Sequence, residues 1–279
     1  MPTVNICDII LKVTQKGLDR MKYNYHTHTS RCFHAKGSDE DFVKAAIEAG
    51  FDEIGFADHS PWPFEGYVSG MRMHVDEFPV YCQSIKNLRE KYKDRISIKL
   101  GLECEYFPEY MPWLKKAIDE KEIDYVILGH HFSKNETGGT YNGNLKTPEQ
   151  LYIYRDDIIE AIETGVFAYV AHPDIFMRGY PVFDEHCRKI SRDIIEKAIE
   201  TNTPLEYNLL GLSISMSSGK PDYPYPDFWD MVGEMKAPVT MGIDAHIPEA
   251  YLDRELFSKG LAELDSRGLK IVDRINMFR

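Results

Sequence analysis

Apolar positions along the chain follow two periods that alternate from about residue 23 onward. Short apolar runs suit strands, and the amphipathic stretches between them suit helices. Strands separated by helices in regular succession pair in parallel through right-handed crossovers. The pattern therefore predicts an α/β fold, with a single domain over residues 21–279 that forms a closed or nearly closed (β/α)7 barrel. The predicted strands are 23–28, 53–57, 96–103, 125–128, 167–171, 205–208 and 239–241, with 269–272 as a terminal strand or edge.

Helical segments follow the predicted strands, and the first of them shows clear end signals. Ser38 is a suitable N-cap residue, and Gly50 is a suitable C-terminal stop. Residues 1–20 precede the alternating pattern, and their apolar spacing predicts a short helix that forms an N-terminal extension. The other predicted helices cover about 74–93, 110–121, 148–164, 184–201, 226–235 and 248–266.

Polar side chains capable of binding metal stand at the end of every predicted strand. In β/α barrels the C-terminal ends of the strands form one rim, where residues distant in sequence meet. We therefore expect these side chains to line a common cup. They are His26 and His28, Asp58 and His59, Glu103 and Glu105, His130 and His131, His172, Asn208, and Asp244 and His246.

Imidazoles and carboxylates grouped in this way predict a metal site. A lone histidine is more often a packed or surface residue that bonds to a backbone carbonyl. A whole set buried in one rim without metal would leave charged groups unsatisfied, at a cost of several kcal/mol each. Imidazole and carboxylate ligands suit Zn, Fe or Mn, and the ligands outnumber those of one tetrahedral site. We therefore expect several divalent ions.

Composition excludes some classes of protein. The formal net charge is −12, and the absence of a basic cluster argues against a nucleic-acid partner. The five cysteines are scattered and odd in number, so reduced thiols are expected. No apolar run of membrane-spanning length and no secretory signal pattern is present. These features predict a cytoplasmic protein without a membrane partner; they do not indicate its oligomeric state.

The strand-end residues fall within a series of motifs spread from residue 22 to about 250. The series is His26-x-His28, His34, Ala57-Asp58-His59, Gly101-Leu102-Glu103, Gly129-His130-His131-Phe132, Ala171-His172-Pro173-Asp174, Glu206-Tyr207-Asn208, Tyr225-Pro226 and Gly242-Ile243-Asp244-Ala245-His246. It resembles the PHP (polymerase and histidinol phosphatase) family, and within that family it is most similar to the monofunctional histidinol-phosphatases. The resemblance implies a distorted, TIM-barrel-like (β/α)7 fold with the metal site at the C-terminal rim of the strands.

The resemblance also implies a set of nine ligands for three divalent ions. His26, His28, Glu103 and Asp244 would hold the first ion. Glu103 would bridge to a second ion held by His131 and His172, and His34, His59 and His246 would hold the third. A hydroxide held by Glu103, His131, His172 and Asp244 would then be the nucleophile. The remaining polar neighbours are expected to be support or packing: His130, Glu105 and Cys32, with Asp58 and Asp174 as orienting or capping groups.

The activity implied by the resemblance is hydrolysis of L-histidinol phosphate in histidine biosynthesis. Arg178 is the predicted phosphate contact, although a solvated loop arginine is an equal alternative. Ser213 stands where relatives commonly carry a second arginine, Lys220 could compensate for it, and His74 could reach the substrate from a lid-like loop. Because of Ser213, hydrolysis of another small phosphorylated metabolite stays open. A nuclease-like module and a catalytically silent scaffold are further alternatives.

Overall fold

Parallel strands form the core of the protein. The structure is a computed structural model that describes residues 21–121, 123–272 and 274–278. Four strands form a parallel sheet in the order β1-β2-β3-β4, and β7 pairs in parallel with β8. Between these groups, β5 and β6 form a short antiparallel hairpin. The strands are β1 (Tyr23–Asn24), β2 (Glu53–His59), β3 (Ser97–Cys104), β4 (Tyr125–Leu128), β5 (Phe132–Ser133), β6 (Thr140–Tyr141), β7 (Leu205–Asn208) and β8 (Val239–Gly242).

Isolated bridges close the two parallel groups into a ring. Val170 bridges to Leu128 on one side and to Leu205 on the other. The predicted strand 167–171 is therefore represented in the ring by this one paired residue. Thr27 bridges to Ala245, which completes the ring between the segment that follows β1 and the segment that follows β8. The predicted distorted (β/α)7 barrel is confirmed.

The first strand, β1, is regular over only two residues, although the sequence predicts a strand through residue 28. The Asn24 side chain explains the interruption, because its Nδ2 donates to the His26 carbonyl at 3.2 Å and its Oδ1 accepts from the Ile243 N–H at 2.9 Å. Side-chain hydrogen bonds thus replace part of the strand ladder. Regular pairing ends where the chain begins to supply candidate ligands.

Helices surround the ring and begin and end close to the predicted positions. Ser38 and Asp41 form a capping box at the start of α1, and Gly50 ends that helix at φ +85°. None of the helices in the described residues has the length and apolar character needed to cross a membrane. The helices are α1 (Asp39–Ala49), α2 (Phe78–Tyr92), α3 (Met111–Lys121), α4 (Pro148–Glu163), α5 (Glu185–Thr201), α6 (Leu209–Ser218), α7 (Pro226–Met235) and α8 (Arg254–Ser266).

Three further features differ from the sequence predictions. Helix α6 and the β5–β6 hairpin were not predicted, and the helix predicted over 248–266 is divided. A 3₁₀ turn covers Pro248–Leu252, and Asp253 then caps α8 by accepting a hydrogen bond from the Leu256 N–H at 2.9 Å. The predicted helix within residues 1–20 lies outside the described residues, as does the proposed extension.

Tyrosines fill the interior of the ring below the candidate site. Tyr25, Tyr125 and Tyr169 are buried, and the Tyr125 hydroxyl donates to the carbonyls of Tyr25 and Phe56 at 2.8 and 3.1 Å. A Cβ at Gly101 would lie 2.4 Å from the Tyr125 ring, so glycine is required at that close approach. This aromatic layer forms the floor that supports the rim.

Replacing Tyr125 with alanine is expected to lower the free energy of unfolding by about 3–5 kcal/mol, because a fully buried ring leaves a cavity. Urea denaturation monitored by circular dichroism measures the change. Val80→Ala is the control, since Val80 is 62% exposed on α2 and should change stability by less than about 0.5 kcal/mol. Equal midpoints for the two variants would contradict the assigned role of Tyr125.

Candidate metal centre

The C-terminal ends of the strands of the ring bring the predicted ligands into one cup. Most members of the set are buried, whereas His34 is exposed and His246 is partly exposed at its mouth. The structure brings together all nine: His26, His28, His34, His59, Glu103, His131, His172, Asp244 and His246.

Glu103 lies at the centre of the cup, at the end of β3. Its two carboxylate oxygens lie between 2.9 and 3.6 Å from the nearest ring nitrogens of five histidines. Oε1 faces three of these rings and Oε2 faces the other two, which is the placement expected of a bridging carboxylate. The five rings belong to His26, His28, His59, His131 and His172.

Asp244 closes the group formed by the first His-x-His pair. Its Oδ1 lies 3.4 Å from Nε2 of His26 and 3.1 Å from Nε2 of His28. Asp244 has φ +55°, and His172 has φ +31°. Positive φ at residues other than glycine is uncommon and costs about 1–3 kcal/mol where it is strained. Both conformations turn a side chain into the cup.

The outer group consists of three histidines, and backbone carbonyls set the tautomers of two of them. Nδ1 of His34 donates to the Cys32 carbonyl at 2.6 Å, and Nδ1 of His246 donates to the Asp244 carbonyl at 2.9 Å. Each bond leaves Nε2 with a free lone pair. The two rings stack with centroids 4.7 Å apart, and His59 lies 5.6 Å from His34. Candidate ligand atoms of His34 and of His59 each lie within 4.8 Å of one on His246.

Unpaired polar atoms inside the cup indicate that the residues fit divalent ions. Buried nitrogen and oxygen atoms without a hydrogen-bond partner are costly, and they are rare in native proteins. Several triplets of candidate ligand atoms also lie within 4.8 Å of one another, which is close enough to converge on a cation. The unpaired atoms that face other candidate ligands are His26 Nε2, His59 Nδ1, Glu103 Oε2 and Asp244 Oδ1.

Protonation in the cup follows the balance between burial and charge. Burial lowers the pKa of His26, but the carboxylates of Asp244, Glu206 and Glu103 outweigh it and raise that pKa well above the usual value. Burial lowers the pKa of His59 to about 3. Burial opposes ionisation of Glu103, yet the surrounding imidazoles hold its pKa well below its usual range. Protons and cations therefore compete for the same nitrogens.

Zinc binding is expected to release protons, because an imidazolium such as His26 must lose its proton before it can bind a metal. We expect about one proton or more per ion bound, and an affinity that rises as the pH is raised above the ordinary pKa of histidine. Titration calorimetry in two buffers with different ionisation enthalpies measures the release. Identical heats in both buffers would contradict this expectation.

Glu206 supports the ligands, a role that the sequence analysis did not assign. Its Oε1 lies 2.8 Å from Nδ1 of His26, and its Oε2 accepts bonds from the His172 N–H at 3.1 Å and from Asn208 Nδ2 at 2.9 Å. A Cβ at Gly242 would lie 1.8 Å from Glu206 Oε1, so that glycine makes room for the carboxylate. A charged residue within the buried strand Leu205–Asn208 was the available signal.

Asp58 and Asp174, two further carboxylates near the cup, make different kinds of contact. Asp58 accepts from the His59 N–H at 2.9 Å and faces Nδ1 of His28 at 3.6 Å. Asp174 instead accepts from the Tyr225 N–H and from Trp229 Nε1, so it ties a loop to α7. The orienting role fits Asp58, and the capping role fits Asp174.

His130 and Cys32 also have distinct surroundings. His130 points away from the cup and contacts Asp157 on α4 at 3.0 Å, consistent with a packed residue. Cys32 is fully buried, and its thiol accepts from the Ala35 N–H at 3.3 Å. Its Sγ lies within 4.8 Å of candidate ligand nitrogens of His34 and His246.

A cavity of about 380 Å³ opens above the cup and carries one arginine in its wall. Arg178 is about one-third exposed, its Nε lies 3.4 Å from Asp222 Oδ2, and its guanidinium stacks over the Tyr223 ring at 5.6 Å. Tyr141 lies beside it in the same wall, on the hairpin that the sequence did not predict. An anion above the ligands would therefore meet a guanidinium and two phenols.

Three predicted substrate contacts lie outside this wall, as the described residues define it. His74 is exposed and accepts a hydrogen bond from the Asp76 N–H at the start of a 3₁₀ turn. Lys220 is exposed and lines a separate cavity of about 260 Å³ with Trp229. Ser213 lies on α6, and its neighbours Leu210 and Ile214 face the cavity instead. Among the described residues, Arg178 is the one of the four predicted contacts that lines this cavity.

The fold and the cup define a β/α-barrel protein with a buried cluster of candidate ligands suited to divalent cations. The PHP domain family matches residues 24–209, and the chain belongs to that family.

Curated relatives with similar lengths carry histidinol-phosphatase names. The Histidinol-phosphatase of Bacillus subtilis is 24% identical over 271 residues, covering 84% of this chain and 99% of that protein. A Deinococcus radiodurans protein named "Probable histidinol-phosphatase" is 26% identical over 233 residues, covering 80% of this chain and 85% of its own.

A solved structure extends the likeness to three dimensions. Histidinol phosphate phosphatase from Lactococcus lactis, crystallised with zinc, L-histidinol and phosphate, superposes with a TM-score of 0.71. The superposition covers 93% of this chain and 99% of that one, at 23% identity. At this identity the likeness shows a shared fold.

Proposed function

We propose that the protein is a metal-dependent phosphomonoesterase that hydrolyses L-histidinol phosphate to L-histidinol and phosphate. The observation that carries the proposal is the single carboxylate of Glu103 facing five imidazoles beneath a cavity lined by Arg178. The names of the curated relatives support the choice of substrate. A small phosphorylated metabolite fits a cavity of about 380 Å³ better than a polymer would.

The proposed ligand assignment places three ions in the cup. His26, His28, Glu103 and Asp244 would hold the first; Glu103, His131 and His172 would hold the second; and His34, His59 and His246 would hold the third. Neutral imidazole and carboxylate donors accept Zn, Fe or Mn. When bound, such ions supply an acidified water and neutralise charge on the phosphate and the leaving oxygen.

The residues of the chain then bind, orient and shield. Arg178 is proposed to bind a phosphate oxygen, because it is the arginine of the cavity wall and Asp222 and Tyr223 hold its side chain. The Tyr141 and Tyr223 hydroxyls provide neutral donors next to it. Ile175, Leu210 and Ile214 add apolar surface to the cavity wall, which helps to exclude water. The proposed charge balance does not require Ser213 or Lys220.

Arg178→Ala is expected to lower kcat/KM for L-histidinol phosphate by about 10–100-fold, since one charge-assisted hydrogen bond to phosphate is worth about 1.5–3 kcal/mol. Steady-state release of inorganic phosphate measures the effect at saturating metal. Arg188→Ala is the matched control, because Arg188 is an exposed arginine that pairs with Asp227 on α7. Equal kcat/KM values for both variants would remove Arg178 from the phosphate site.

A substrate panel tests the proposed activity directly. Purified protein is assayed with L-histidinol phosphate, sugar phosphates, nucleoside monophosphates and single-stranded DNA under identical metal conditions. We expect kcat/KM to be highest for L-histidinol phosphate. Preference for another phosphate ester would replace the substrate while keeping the chemistry, and DNA cleavage without monoesterase activity would overturn the proposal.

A further inference from the structure

Arg72 is a buried arginine that lies beside the cup without facing its cavity. Its side chain is 2% exposed, and its guanidinium lies 5.9 Å from the centre of the Phe64 ring. Nη1 and Nη2 donate to the two carboxylate oxygens of Glu105 at 3.0 and 2.7 Å. Nε donates to Glu136 Oε2 at 2.7 Å, and Nη1 also donates to the Ser60 carbonyl at 3.0 Å. Four of the five guanidinium N–H groups are thus hydrogen-bonded.

Glu105 connects this arginine to a candidate ligand. Its Oε2 accepts from Trp62 Nε1 at 2.7 Å, and its Oε1 faces Nδ1 of His131 at 3.4 Å. Nε2 of the same ring points to Glu103 at 3.6 Å. His131 is therefore held between a supporting carboxylate on one side and the bridging carboxylate on the other. Contacts of this kind are often long before a ligand binds and then tighten.

Glu136 connects the same arginine to two segments of the rim, the loop over residues 60–77 and the β5–β6 hairpin. It lies in the turn of the β5–β6 hairpin, which follows His131 directly in the chain. Its Oε1 accepts from the Ser69 hydroxyl at 2.6 Å and from the Tyr67 hydroxyl at 3.1 Å. The loop over residues 60–77 is thereby fixed to the hairpin that carries Tyr141 into the cavity wall.

Stability alone gives a weak reason for this arrangement. Buried ion pairs are often replaceable by apolar residues at no cost in stability, because desolvation offsets the attraction. One cation between two carboxylates also leaves a net negative charge beside His131. That charge favours a ring that donates from Nδ1 and binds a cation at Nε2, as in carboxylate–histidine–metal groups.

We propose that Arg72 is a positioning residue that fixes the Glu105 carboxylate against His131, so that the ring presents Nε2 to the metal. Glu136 extends this chain of contacts to the loop over residues 60–77, which couples the order of the rim to metal binding. The inference rests on the proposed function, because it takes His131 to be a ligand.

Two variants test this chain of contacts through metal affinity. Glu105→Gln keeps the shape of the side chain and removes the charge, whereas Arg72→Lys keeps the charge and removes the bidentate fork. Zinc dissociation constants are measured by chelator competition, and His131→Gln identifies the binding step that depends on this ring. We expect that step to weaken about 10–100-fold in both variants. The metal-free melting temperatures are recorded in parallel.

Arg155→Lys is the matched control for the loss of an arginine fork. Arg155 pairs with Asp156 and Asp193 on the outer helices and is 19% exposed, away from the cup. The Arg155→Lys variant should leave all zinc dissociation constants unchanged. A merely structural network would instead lower the melting temperature of Arg72→Lys and Glu105→Gln without weakening any binding step, and that result would overturn the inference.

A measurement on the unmodified protein covers the case in which neither variant folds. Nitrogen-15 NMR of histidine side chains, with the His131 signals assigned from His131→Gln, reports which ring nitrogen carries the proton. We expect the Nδ1–H tautomer in the metal-loaded protein, and protonated Nε2 would overturn the inference. Unmodified protein that binds no zinc would overturn the proposed function itself, which keeps the two failures distinct.

Discussion

Glu103→Gln is expected to lower kcat for L-histidinol phosphate by about 10³-fold or more and to remove at least one bound ion. The carboxylate faces five imidazoles, and a neutral amide can neither bridge two cations nor balance their charge. Loss of several kcal/mol of transition-state stabilisation corresponds to this factor. Phosphate release and elemental analysis of the dialysed protein measure the two effects.

Glu53→Gln provides the control for this change. Glu53 is also a buried carboxylate, but it lies at the opposite end of β2, where it accepts hydrogen bonds from Tyr25 and Ser97. Its replacement should leave metal content and kcat unchanged even if stability falls. Retention of full metal content and activity by Glu103→Gln would show that the cup does not depend on a bridging carboxylate.

Gly242→Ala is expected to lower metal affinity by about 10–100-fold, although residue 242 binds no metal itself. A Cβ there would lie 1.8 Å from Oε1 of Glu206, so the carboxylate must move away from Nδ1 of His26. Loss of such a supporting contact typically weakens metal binding by that factor. Chelator competition on the purified variant measures the change.

Gly138→Ala is the matched glycine control. Nothing lies within 4 Å of a Cβ at Gly138, and its φ is not positive, so alanine fits there. We expect wild-type zinc affinity for that variant. If Gly242→Ala also binds zinc with wild-type affinity, then Glu206 does not orient His26.

The sequence predicted the fold well where local signals and burial agree. The cap at Ser38 and the stop at Gly50 bound α1 as expected, because both act through contacts within a few residues. Helix α6 was missed, since its four serines favour turns as much as helices. It forms because the Asn208 side chain accepts from the Gly211 N–H at 2.9 Å and Leu212 packs against the core.

The candidate site was predictable to the extent that strand ends determine it. His26, His28 and Asp244 lie just beyond the ends of parallel strands that share one rim, which was predictable, whereas the positive φ that turns Asp244 into the cup was not. Arg72 and Tyr141 could not be found in the same way. Arg72 lies on a long loop, and Tyr141 lies on the β5–β6 hairpin. Hydrogen bonds from Arg72 to Glu105 and Glu136 hold these segments in place, and such tertiary contacts leave no local pattern in the sequence.

Phosphate release from L-histidinol phosphate by protein stripped of metal and then titrated with Zn²⁺ or Mn²⁺ tests the central claim most directly. Activity should be absent after chelation and should return with the addition of about two to three equivalents, since the cup clusters its ligands around Glu103. Unchanged activity after complete removal of metal, or no activity with any divalent ion, would contradict the account.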